Sequence, residues 1–127
     1  MILASRLRGD QGSVSVLVAA IVAALLVLAL GTADLARVLV AAATAQTAAD
    51  VAALAVAQEL AIPSDLDPAE VAGEYAGRNG AVVVTCECAT GTFEAVVTVR
   101  AVVGPLALFA DDRAVQATAR AVVDLPA

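Results

Sequence analysis

Few side chains in this chain could carry out chemistry, and their spacing suits none of the common sites. Cys86 and Cys88 stand one residue apart. They read as two small hydrophobes buried side by side or as a local disulfide in an oxidising compartment. A metal-binding or redox-active pair would need a second ligand cluster, and the sequence has none. There is no His, which removes the commonest general base and the commonest zinc ligand together. The acidic residues around Glu70 and Glu74 read as a solvated face, because no neighbouring group would set two carboxyl pKa values apart. No nucleophile motif and no glycine-rich phosphate loop occurs. The basic residues are seven arginines, scattered from Arg6 to Arg120, so nucleic acid finds no basic patch. The expectation is a protein without enzymatic activity, cofactor, metal, small-molecule substrate or nucleic-acid partner.

The elements that carry these residues are unusually apolar. Hydrophobic residues make up 61% of the 127, against roughly 45–50% in ordinary soluble domains. The excess is Ala and Val; there are two Phe, one Tyr and no Trp. Such a chain packs backbones closely but builds a thin core, and a small domain of this kind needs help from a membrane or partners.

From Gln11 to Ala33 no residue is charged, and residues 14–30 are apolar apart from Ser15. With its small flanking residues this run reaches the roughly 20 positions that a helix needs to cross a bilayer. Arg6 and Arg8 precede it and Asp34 comes just after, so the positive-inside rule places the N-terminus in the cytoplasm and exports the rest of the chain. The chain divides into a cytoplasmic leader (1–12), a transmembrane helix (13–33) and an extracytoplasmic part (34–127). A buried core helix is disfavoured by size, since the remaining chain is too small to surround it. A cleaved secretory signal is the competing reading, with Gly31-Thr32-Ala33 as the cleavage site.

Residues 34–60 contain neither Pro nor Gly and are dominated by Ala, the best helix former. Helical spacing puts Leu35, Val38, Ala42, Ala45, Ala49, Ala53, Val56 and Leu60 on one uncharged face. Ile62-Pro63 ends the helix. Asp67-Pro68-Ala69-Glu70 then starts a short one, with Asp67 as N-cap and Glu70 at the capping-box position. Asn79-Gly80 closes it with a turn.

Beyond Gly80 the period becomes alternating. Val82, Val84, Cys86 and Cys88 share one face of a first strand, and Ala89-Thr90-Gly91 turns the chain. Phe93, Ala95, Val97, Val99 and Ala101 share a face of the second, and Val115, Ala117, Ala119, Ala121 and Val123 of the third. Three strands with one apolar face each need a cover, and the long helix is the only large element available. The expected fold is α+β, a long N-terminal helix packed on a small antiparallel three-stranded sheet. Leu106, Leu108 and Phe109, just before Asp111 and Asp112, read as a flap over the open end of the core or as an exposed contact for a partner subunit.

Three features together resemble the TadE/TadG-like proteins of tight-adherence (Flp-type) pilus systems, a pilin-like family. Arg8-Gly9-Asp10-Gln11-Gly12-Ser13 leads into the apolar helix as that family's basic, Gly-containing leader does. Gln46-Thr47-Ala48-Ala49-Asp50-Val51-Ala52-Ala53-Leu54-Ala55 looks like its stretch after the membrane span, and a short helix with a small β region comes next. The resemblance extends to actinobacterial TadE-like small proteins. The resemblance implies a minor pilin-like or accessory subunit of a pilus or related secretion apparatus. Its partners would be membrane lipid and other pilin-like or assembly-platform subunits. In this role Gln46, Ala49, Asp50, Ala53 and Leu54 would serve helix packing, and leader-peptidase cleavage would fall at Gly12-Ser13. Counted from Ser13, the fifth position holds Leu17 where the family usually carries Glu. The TadG-like relatives point instead to an uncleaved anchor. The alternative function is a secreted soluble binding protein released near Ala33.

Overall fold

The computed structural model of the chain describes residues 2–109 and 113–126, with side chains from residue 12 onward. Helix α1 covers Ile2–Ala61 without interruption. At ~1.5 Å per residue its 60 residues make a rod of about 90 Å. The absence of Pro from this stretch and the long Ala runs explain its continuity. It stops where the sequence expects, at Ile62-Pro63. Glu59 fastens the turn by accepting bonds from the Ser64 amide and hydroxyl, each 2.7 Å long. These bonds hold its carboxyl below the ordinary value.

Helix α2 covers Pro68–Arg78, and the Asp67 side chain caps it by accepting from the Ala69 amide at 3.0 Å. Glu70 lies in its first turn and is exposed. Strands β1 (Val82–Glu87), β2 (Glu94–Val102) and β3 (Ala114–Val122) complete the fold. They form one antiparallel sheet in the order β1-β2-β3. The C-terminal half of α1 lies across β2 and β3, and α2 packs between α1 and β1. The fold is therefore the α+β arrangement that the periodicities imply, with α2 as a second cover over the sheet.

The core is a layer of small residues. Ala45, Ala48, Ala49, Ala52, Ala53 and Val56 of α1 meet Ala95, Val97, Val99 and Ala101 of β2, with Val71, Ala72 and Ala76 from α2. Ala side chains let the helix approach the sheet closely, so the layer is dense but thin. The outer sheet face carries polar pairs among exposed valines: Thr98 and Thr118 share a hydroxyl bond of 2.8 Å, and Arg120 grips the Glu94 carboxylate with two nitrogens.

Three details depart from simple periodicity. Val82 and Val84 are exposed, whereas Val83 and Cys86 pack against the core. The cause is an irregularity in the β1–β2 register: Val83 pairs with Val99, but Thr85 pairs with Thr98. One extra residue in β1 reverses which side chains face inward before it. Phe93 is exposed because it precedes β2, and Leu35 is exposed because the sheet does not reach that far down α1.

Candidate assembly site

Three surfaces of this fold could act on other molecules, and all lie along α1. The first is the apolar run itself. Every residue from Gly12 to Leu30 is exposed, though the segment reaches a mean hydropathy of 2.9. No other element lies over it except at its upper end. Gly12, Ser13 and Leu17 all sit on this bare rod and make no fold contact that would define a site. Arg6 and Arg8 fall outside the residues with described side chains.

The second surface is divided within the motif of residues 46–55. Helical geometry sends its Ala and polar positions in opposite directions. Ala48, Ala49, Ala52 and Ala53 are buried against the sheet and α2. Gln46, Asp50 and Leu54 point outward, and the Gln46 side-chain amide donates to the Asp50 carboxylate at 2.9 Å. Leu54 is 61% exposed although the core lies on the other side of the same helix turn. Leu39 and Leu54 thus form an outward stripe with the Gln46–Asp50 pair, at i, i+4 and related spacings.

The third surface was not legible in the side-chain pattern. Asp34 is buried, 3% exposed, at the point where the charge-free run ends. One carboxylate oxygen accepts the Ala107 amide and the other accepts the Leu108 amide, both at 2.8 Å. Arg37, one turn on, donates to the Pro105 carbonyl at 2.6 Å and lies 3.5 Å from Asp34. Asp34 therefore latches the segment between β2 and β3 onto α1. Leu106 is half-buried by this, while Leu108 and Phe109 remain 45% and 50% exposed. Asp111 and Asp112 lie outside the described residues.

The latch has a defined response to acid. The Ala107 and Leu108 amides hold the Asp34 carboxyl below its ordinary value of 3.8; desolvation opposes them and Arg37 adds to them. A carboxyl depressed in the folded state contributes stability that is present above the unfolded value and lost as pH falls through the folded one. The Ala107 and Leu108 amide resonances should therefore stay fixed from neutral pH to about pH 5. They should move only below the ordinary carboxylate value, and the Asp34→Asn variant should abolish that transition.

Cys86 and Cys88 face each other with Cα atoms 5.4 Å apart, inside the ~4.4–6.8 Å range that disulfides occupy. Both pack against the core at the far end of the sheet. Among the described residues no group of three or more His, Cys, Asp or Glu gathers as a metal site.

No curated protein and no solved structure matches the chain. The family model described as "Putative Flp pilus-assembly TadE/G-like" matches residues 12–59, which include the bare apolar rod, the Asp34 latch position and the divided motif. Over those residues, well under half of its length, the chain is similar to the TadE/G-like Flp pilus-assembly family.

Proposed function

We propose that the chain is a non-enzymatic, single-pass membrane subunit that assists or enters a tight-adherence pilus or related secretion apparatus. The observation that carries this reading is the uncovered apolar rod of α1, joined without a break to the spine of a folded domain and matched by the family over both parts. Lipid is the natural solvent for a helix with no polar face, because every backbone group is satisfied internally. Residues 13–33 cross the bilayer, residues 1–12 stay in the cytoplasm, and the domain from Asp34 onward stands outside. Leu17 lies within the span as an apolar residue, which suits an anchor retained without leader cleavage after Gly12.

Subunit contacts are assigned to the outward stripe of Leu39, Gln46, Asp50 and Leu54. These side chains are exposed and the fold does not need them, whereas the inward Ala positions hold the domain together. The disulfide between Cys86 and Cys88 is part of the same proposal and fits an extracytoplasmic location.

Copurification tests the assignment. A tagged wild-type chain extracted in mild detergent should bring down assembly-platform or fibre components. Leu54→Asp should lose them while the domain melts within a few degrees of wild type, because exposed substitutions change stability by only about 0.5 kcal/mol. Recovery of the wild-type chain as a lone monomer would contradict the reading. The mature N-terminus separates the alternatives: Met1 marks the retained anchor, Ser13 a processed pilin-like subunit, and Asp34 a released soluble protein.

A further inference from the structure

We propose that the loop between β2 and β3 is a second membrane contact, in which Leu108 and Phe109 seat in the phospholipid interface beside the anchor. The inference rests on the reading of residues 13–33 as the anchor, and the geometry supplies the depth. A methyl group placed at Gly31 would lie only 3.7 Å from Leu108 Cδ1. Leu108 also shares an apolar groove with Val27, Leu28 and Leu35. Gly31 lies three residues before Asp34, or about 4.5 Å deeper along the axis at ~1.5 Å per residue. A side chain that touches the anchor below its charged boundary cannot stand clear of the bilayer. The latch fixes this depth, because Asp34 holds the amide of Leu108 itself.

Two cations border the proposed contact among the described residues. The Arg113 guanidinium lies 4.9 Å from the Phe109 ring centroid, and Arg37 is half-exposed beside Pro105. Cations flanking apolar and aromatic residues are the usual composition of a membrane interface. Among the described residues the acidic groups Glu59, Asp65, Asp67 and Glu70 gather at the opposite end, near the end of α1 and the start of α2. Near the loop the described carboxylate is Asp34, buried and fully bonded, while Asp111 and Asp112 of the same loop lie outside the described residues. A protein neighbour could also cover Leu108 and Phe109, but it would not need them at the level of Gly31.

The chain has no Trp, so a single introduced Trp reports its position without background. The full chain is reconstituted into phosphatidylcholine vesicles with bromine placed on the acyl chains near the headgroup. Three variants are compared: Leu28→Trp in the anchor, Phe109→Trp in the loop, and Leu66→Trp at the far end. The expected result is blue-shifted emission and strong quenching for Leu28→Trp and Phe109→Trp, with Phe109→Trp quenched at least about twofold more than Leu66→Trp. Leu108→Trp gives the same readout if Phe109→Trp folds poorly. Quenching at Leu28→Trp with none at either loop position would overturn this inference and leave the anchor standing. Absence of quenching at Leu28→Trp would overturn the anchor and the loop contact together. Blue-shifted loop emission that bromine fails to quench would mean a protein neighbour, and would likewise overturn it.

Discussion

Replacing Ala49 with leucine should destabilise the folded domain more than any change on the outer face of the same helix. Ala49 has no exposed surface and sits in the layer where α1 meets the sheet and α2. The three extra carbons of leucine find no space there, so the helix must move away from the sheet or its neighbours must leave their preferred rotamers. Overpacking of this kind costs about 1–3 kcal/mol. Small domains have only ~5–15 kcal/mol of total stability, and a core of Ala and Val lies at the weak end of that range. The expected readout is a fall in melting temperature of about 5–20 °C in detergent, at ~4–8 °C per kcal/mol. Leu54→Ala, one turn on but outward, should melt with the wild type. Equal stability of Ala49→Leu and wild type would mean that the helix does not lie on the sheet.

The second large effect belongs to Asp34. Its two carboxylate oxygens each accept one backbone amide of the loop. In Asp34→Asn, one oxygen becomes an NH2 group that faces another donor, so one bond is lost and a repulsion takes its place. Asp34→Ala removes both acceptors and leaves two amides without partners. Hydrogen exchange at Ala107 and Leu108 should accelerate by at least about tenfold in either variant, since the segment opens locally. The amides of β2 should change far less, because their ladder does not depend on the latch. Phe109→Trp combined with Asp34→Ala should also lose its lipid quenching, because the loop would no longer be held at the level of Gly31. Unchanged exchange at both loop amides would show that the latch does not hold this segment.

The long elements were legible because composition and period agree in them. The apolar run, the Ala-rich continuation, the stop at Ile62-Pro63 and the Asp67 cap each arise from local residue types, and β2 from alternation over nine residues. The face of α1 was legible from Ala45 to Leu60. It failed at Leu35, where nothing in the chain was left to cover it. The irregularity in β1 was hidden because Val82, Val83 and Val84 are identical, and a run of one residue type carries no phase. The latch was hidden for a different reason. Its donors are backbone amides 73 and 74 residues from Asp34, and any side chains at those positions would supply them. Asp34 gave only the hint of a lone acid at the end of an apolar run. Within the motif, spacing alone could not separate Ala49 and Ala53, which build the core, from Gln46, Asp50 and Leu54, which face outward.

Where the intact chain resides decides whether α1 is a membrane anchor. Cell fractions should be washed in alkaline carbonate and the mass of the recovered chain determined. The expected result is a chain that stays with the membranes through the wash, leaves only with detergent, and retains the residues of the apolar run. A full-length chain found dissolved without detergent, or a chain that begins at Asp34, would contradict it.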